Sequence, residues 1–230
     1  GTANSNQKGC YHATKSVLRA LAQRGLVVEQ LTGDSRTFPR NPYSGVQHTT
    51  KGETRLSKAE RTAVTLALRE AIKPLFSHDV AVTSELISYA LLAVALHTGR
   101  NTTPLLEMDV NCLKPHPKDG TMFLALYKRR GHSTSQVPIR KELDSVGGVR
   151  PTVYRIIQRA MELAEPLRVK SPEHLRDRVW LYESRSAGNG IATPGAVTAL
   201  SEDTLARSIG ILVARYKLQD NDGRPLRLNI

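Results

Sequence analysis

Residues 83–108 read "TSELISYALLAVALHTGRNTTPLLEM". From Leu86 to Leu96 nearly every position is apolar. A helix with no polar face is a buried helix, so this segment is expected at the centre of the fold. Gly99 closes it, since glycine takes the left-handed conformation that ends helices. Pro104 favours a second, short helix beginning near Thr102. Arg100 is thereby held between the end of one helix and the start of the next. Two readings are open for it: a helix-end cation paired with a carboxylate, or a rigidly held phosphate ligand.

Outward from this segment the chain reads as alternating helices and turns. "LSKAERTAVTLALREAIKPLF", residues 56–76, predicts a helix opened by a Ser57/Glu60 capping box, with Leu66 and Leu68 facing the core, broken by Pro74. After the short helix come "MDVNCL", "TMFLALYK" and "SQVPI", three short extended segments joined by turn-like "KPHPKDG" and "RRGHST". "RPTVYRIIQRAMELAEPL" predicts an amphipathic helix with Val153, Ile156, Ile157 and Met161 as its stripe. "SPEHLRDRVWLY" predicts another, with Ser171 as cap. Residues 183–196 read as a Gly- and Ser-rich loop, and a last helix is expected over 202–218 before the turn "QDNDGRP" and an extended end. Near the start, residues 11–26 predict a helix with Val17, Leu18 and Leu21 on one face, stopped by Gly25. The expected fold class is mainly α with a small three-stranded antiparallel sheet.

Composition narrows the function. The chain has 230 residues and a net charge of +12, with aromatics at only 5%, so aliphatics build the core and a polyanion is the natural partner. Between Gly120 and Lys141 there are five basic residues (Lys128, Arg129, Arg130, Arg140 and Lys141) and no acidic one. This predicts a local positive field centred on "YKRRGH". His132 in that turn reads as an exposed histidine, and His97 as a structural one. No apolar run approaches the ~20 residues of a membrane span. Cys10 and Cys112 are too far apart in sequence to suggest a disulfide framework, and they point to a reducing compartment. Neither sits in a zinc-ligand cluster, and no metal or other cofactor is implied.

Taken in order, these elements resemble the tyrosine recombinase, or phage integrase, family. "TGRNTTPLLEM" resembles the family's first arginine motif and matches Arg100 to its catalytic arginine, with Glu107 as structural support. "FLALYKRRGHSTSQVPI" resembles the sheet whose hairpin carries the catalytic lysine, which matches Lys128 or, in the alternate register, Arg130. The resemblance implies three parts: residues 1–31 as the last helix of a core-binding domain, 32–52 as a linker, and 53–230 as the N-terminal part of a catalytic domain, incomplete at its C-terminus. It implies double-stranded DNA as partner, with Arg129, Arg130, Arg140, Lys141, Lys15 and Arg19 as contacts. On the polar face of the first helix, Lys15, Arg19 and Arg24 are equally open to plain solvation. It further implies cleavage and rejoining through a 3'-phosphotyrosyl link in the complete protein, synaptic assembly with other protomers there, and a cytoplasmic, nucleoid-associated setting of bacterial or phage origin. This chain itself is expected to be monomeric and inactive.

The family's His-x-x-Arg box is missing. "EHLRDR" sets His174 two and four residues before Arg176 and Arg178, and Tyr216 lies within a predicted amphipathic helix, where packing is its expected role. No nucleophile is assigned in this chain. The competing class is a non-catalytic DNA-binding module, or a degenerate relative acting as a regulator. A third reading is a helical interaction domain whose charge serves solubility.

Overall fold

The computed structural model describes residues 2–28, 56–128, 132–141, 152–185 and 194–228. The chain divides into two compact units, 1–55 and 56–230. The expected linker at 32–52 and most of the expected loop at 183–196 lie outside the described residues.

In the first unit, helix α1 (Thr2–Gln23) begins nine residues before the position the sequence predicted. Its end is as expected: Gly25 takes φ +70°, and the Gly25 and Leu26 amides bond the carbonyls of Ala22 and Leu21. That pair of bonds satisfies carbonyls the helix cannot. Val17 on the predicted apolar stripe is 58% exposed.

The second unit is mainly helical with a three-stranded antiparallel sheet. Helix α2 (Lys58–Ala71) starts at the predicted box: Ser57 Oγ accepts from the Glu60 amide at 3.2 Å, and Glu60 Oε2 accepts from the Ser57 amide at 2.6 Å. Val64, Ala67, Leu68 and Ala71 form its buried face. Leu66, expected in the core, is 53% exposed. It sits two positions from both Val64 and Leu68, about 200° around a helix of 3.6 residues per turn, so it cannot share their face. Pro74 turns the chain into a 3-10 segment, Lys73–Phe76. Arg159 then fastens that segment, its guanidinium donating to the carbonyls of Leu75 and Ser77 at 3.0 and 2.9 Å.

Helix α3 (Ser84–Thr98) is the hub. Every residue from Leu86 to Leu91 is buried, and the helix packs against α2, α5 (Val153–Lys170) and α6 (Glu202–Arg215). Burying each leucine or isoleucine there contributes about 1.5–3 kcal/mol. Gly99 closes α3 at φ +63°, as predicted, and α4 (Thr102–Leu106) follows.

Strands β1 (Leu113–Pro115), β2 (Thr121–Lys128) and β3 (Ser133–Arg140) run in that order, all antiparallel. Leu124 pairs Val137 and Met122 pairs Ile139, so one face of the hairpin meets the helices. The first strand takes only Leu113 from "MDVNCL" and its other two residues, Lys114 and Pro115, from the expected turn. An Asp109 side-chain turn holds the Asn111 amide at 2.7 Å, and Asp109 bridges Arg178, so this stretch joins a different neighbour.

Residues 171–182 depart most from expectation. Ser171 ends α5 instead of opening a helix: its hydroxyl donates to the Arg168 carbonyl at 2.8 Å. One 3-10 turn, Glu173–Leu175, is all the helix that forms. The carbonyls of Arg176 and Arg178, which a continuing helix would need, are taken by the guanidinium of Arg168. The chain then enters β4 (Leu181–Glu183), which pairs with β5 (Val197–Ala199). Helix α6 ends at Arg215, three residues early, because Lys217 adopts φ +49° and the Leu218 amide closes back onto the Val213 carbonyl. Asp220 forms the predicted turn, its Oδ1 accepting from the amides of Asp222 and Arg224.

Candidate functional site

Arg100 follows directly on the left-handed Gly99, at the negative end of α3. It is half-buried on the rim of a groove of about 440 Å³ floored by Leu68, Leu92, Leu96 and Ile209. Among the described residues its side chain makes no ion pair and no hydrogen bond. A guanidinium presents five donors in a fixed plane, and the described residues use none of these.

Downstream, α4 is held from the outside. Trp180, fully buried, donates its indole N–H to the Leu105 carbonyl at 2.6 Å. Arg178 Nη1 donates to the Glu107 carbonyl at 2.7 Å, and the Val179 amide to the Met108 carbonyl at 3.1 Å. The Val110 amide returns a bond to the Asp177 carbonyl at 2.8 Å. Glu107 thus lies in the buttress of the short helix, through a main-chain carbonyl that the sequence gives no means of selecting. Arg178 and Trp180 escaped the sequence reading for the same reason. Their partners are carbonyls some seventy residues away, and backbone acceptors leave no side-chain signature.

Lys128 is exposed at the end of β2, paired in register with Ser133. Next to it Tyr127 is 49% exposed, its hydroxyl 3.1 Å from Nδ1 of His132, which takes φ +45°. Arg129 and Arg130 lie outside the described residues. The single positive field expected over 120–141 is two separate ones. Arg140 pairs with Thr121 at the far end of the ladder, and the Lys141 amide bonds the Gly120 carbonyl. Seven steps at ~3.3 Å put Arg140 about 23 Å from the hairpin tip. Clustering in sequence does not survive a strand between the clusters.

Lys15 and Arg19 lie on α1, half-buried and exposed respectively, and each has interactions within its surroundings. His174 and Arg176 are exposed, and Tyr216 is half-buried, packed against the main core at the end of α6. Burial, then the charge of Asp109, pushes the Cys112 thiol up from its ordinary 9.0 to about 12, so it is an inert core group. Among the described residues no group of three or more His, Cys, Asp or Glu could hold a metal ion, and no helix is long and apolar enough to cross a membrane. Compared with family models, curated proteins and solved structures, the chain matches none.

Proposed function

We propose that this chain binds duplex DNA through its backbone phosphates, and that it belongs to the tyrosine recombinase type as part of a larger strand-cleaving protein. One observation carries the reading: Arg100 stands half-buried, with no pairing partner among the described residues, at the joint between the hub helix and a buttressed short helix. A planar guanidinium so held suits the non-bridging oxygens of a phosphate, on which charge accumulates when the phosphorus is attacked. Lys128, exposed on a hairpin tip, has the reach to protonate a leaving 5'-oxygen in that chemistry. The net charge of +12 supports a polyanionic partner.

The test is binding of a labelled duplex across a salt series. Affinity should fall linearly on a log–log scale, and Arg100→Ala should weaken binding at every salt concentration. Absence of binding at low salt would refute the proposal.

A second reading, a DNA-binding module without cleavage, is favoured by a specific observation. Arg178, the partly buried arginine of "EHLRDR", is engaged by the Glu107 carbonyl, and Tyr216 packs on the core. The guanidinium of Arg178 is thus committed to the short helix and the ring of Tyr216 to the core. A nicked suicide substrate offered to the complete protein separates the two readings: a trapped covalent complex would exclude the second, and its absence would exclude the first.

A further inference from the structure

A second cavity, of about 520 Å³, lies among α2, α3, β3 and the start of α5. Its lining mixes apolar side chains, Ile72, Ala93, Val137 and Ile156 among them, with the hydroxyls of Thr65, Thr98 and Thr152. Three basic residues from three different elements line it: Arg69 of α2, His97 of α3 and Arg140 of β3. No acidic residue is among the described residues that line it. The side chains of Arg69 and Arg140 make no hydrogen bond or ion pair among the described residues. His97 is fixed by the 2.7 Å bond from its Nδ1 to the Ala93 carbonyl, which leaves Nε2 without a partner there.

Cations around one hollow to which the described residues bring no counter-charge repel each other, and an anion entering the hollow relieves that repulsion. The volume is that of a small-molecule site, and an apolar lining with a few convergent polar groups is the usual makeup of one. A sugar-phosphate backbone gains nothing from such a lining. We propose that this cavity binds a small amphipathic organic anion, with its apolar body against Ile72 and Ile156 and its carboxylate or phosphate head between Arg69 and Arg140. The site contains neither Arg100 nor Lys128, and of the DNA contacts that the resemblance implies it holds Arg140 alone.

Calorimetric titration of the whole chain with octanoate, octyl phosphate, octylammonium and inorganic phosphate tests it. One or both of the tailed anions should bind saturably, and which one does identifies the head group. Octylammonium and inorganic phosphate should bind at least about tenfold more weakly, since each lacks half of what the site recognises. Arg69→Ala and Arg140→Ala should each weaken the tailed anion by roughly tenfold, whereas Arg100→Ala should leave it unchanged. Both arginines are on the surface, so these variants should fold, and circular dichroism checks that they do. Equal binding of octylammonium and octanoate would overturn the proposal, as would indifference to both arginine substitutions or inorganic phosphate binding as tightly as octyl phosphate. Competitive displacement of octanoate by duplex DNA would overturn it too, by assigning the rim to the nucleic-acid surface.

Discussion

The guanidinium of Arg178 donates to the main-chain carbonyl of Glu107 at 2.7 Å, across 71 residues of sequence. With the Trp180 bond to Leu105, it fixes the far end of α4, whose near end carries Arg100. Trp180→Phe keeps most of the buried ring and deletes the donor. The Leu105 carbonyl then keeps only its main-chain partners, the Met108 amide at 3.2 Å among them, and loss of the indole bond costs about 0.5–1.5 kcal/mol. We expect the urea midpoint to fall with an unchanged slope; a midpoint equal to wild type would show that this bond contributes nothing.

Two helix ends use the left-handed conformation with opposite residue choices. Gly99 has open space where a Cβ would go, so Gly99→Ala should cost only the backbone strain, about 1–2 kcal/mol. Lys217, at φ +49°, already bears that strain. Lys217→Gly should therefore stabilise the protein, by about 0.5–1 kcal/mol. Thermal or chemical unfolding of the two variants should move in opposite directions.

Alkaline pH should destabilise this fold through two buried groups. Burial and the Glu85 carboxylate raise the Tyr89 hydroxyl from 10.0 to about 12, and burial and Asp109 raise Cys112 from 9.0 to about 12. Both groups are neutral in the folded state below those raised values. Their contribution is fully present below pH 9 and is lost as the pH rises from about 9 to about 12, because only the unfolded chain ionises there. Among the described residues the Tyr89 hydroxyl has no hydrogen bond of normal geometry, although Glu85 is near enough to act on it by charge and as a weak acceptor. Tyr89→Phe should then cost little at neutral pH and should flatten the alkaline decline in unfolding midpoint. An equally steep decline in the variant would remove Tyr89 from the account.

Leu66 and Leu68 give the sharpest stability contrast. Leu68→Ala opens a hole in the core and should cost about 2–5 kcal/mol. Leu66→Lys changes an exposed position and should stay within about 0.5 kcal/mol. Denaturation of both variants distinguishes the observed helix face from the one the sequence suggested.

The elements legible in advance were those with a local signal. The Ser57–Glu60 box, the apolar run of α3 with Gly99, and the short extended "TMFLALYK" between two turn-like stretches each depend on neighbours within a few residues. The same holds for Arg100, whose placement follows from the helix end before it and Pro104 after it. What was not legible depends on distant partners. "SPEHLRDRVW" has a good helix-start pattern, but the Arg168 guanidinium competes for its carbonyls. The basic residues of 120–141 cluster in the sequence, and only the strand register shows that Lys128 and Arg140 occupy opposite ends of a ladder.

The burial of α3 on all sides has a consequence for recognition. A residue mounted at the end of such a helix has lost most of its backbone freedom on folding, before any ligand arrives. Arg100 therefore gives up little further entropy on meeting an anion, and the anion must come to the position the core dictates. Lys128, exposed on a four-carbon stem, works the other way, adapting its head to wherever the charge lies. One cation sets the register and the other follows it.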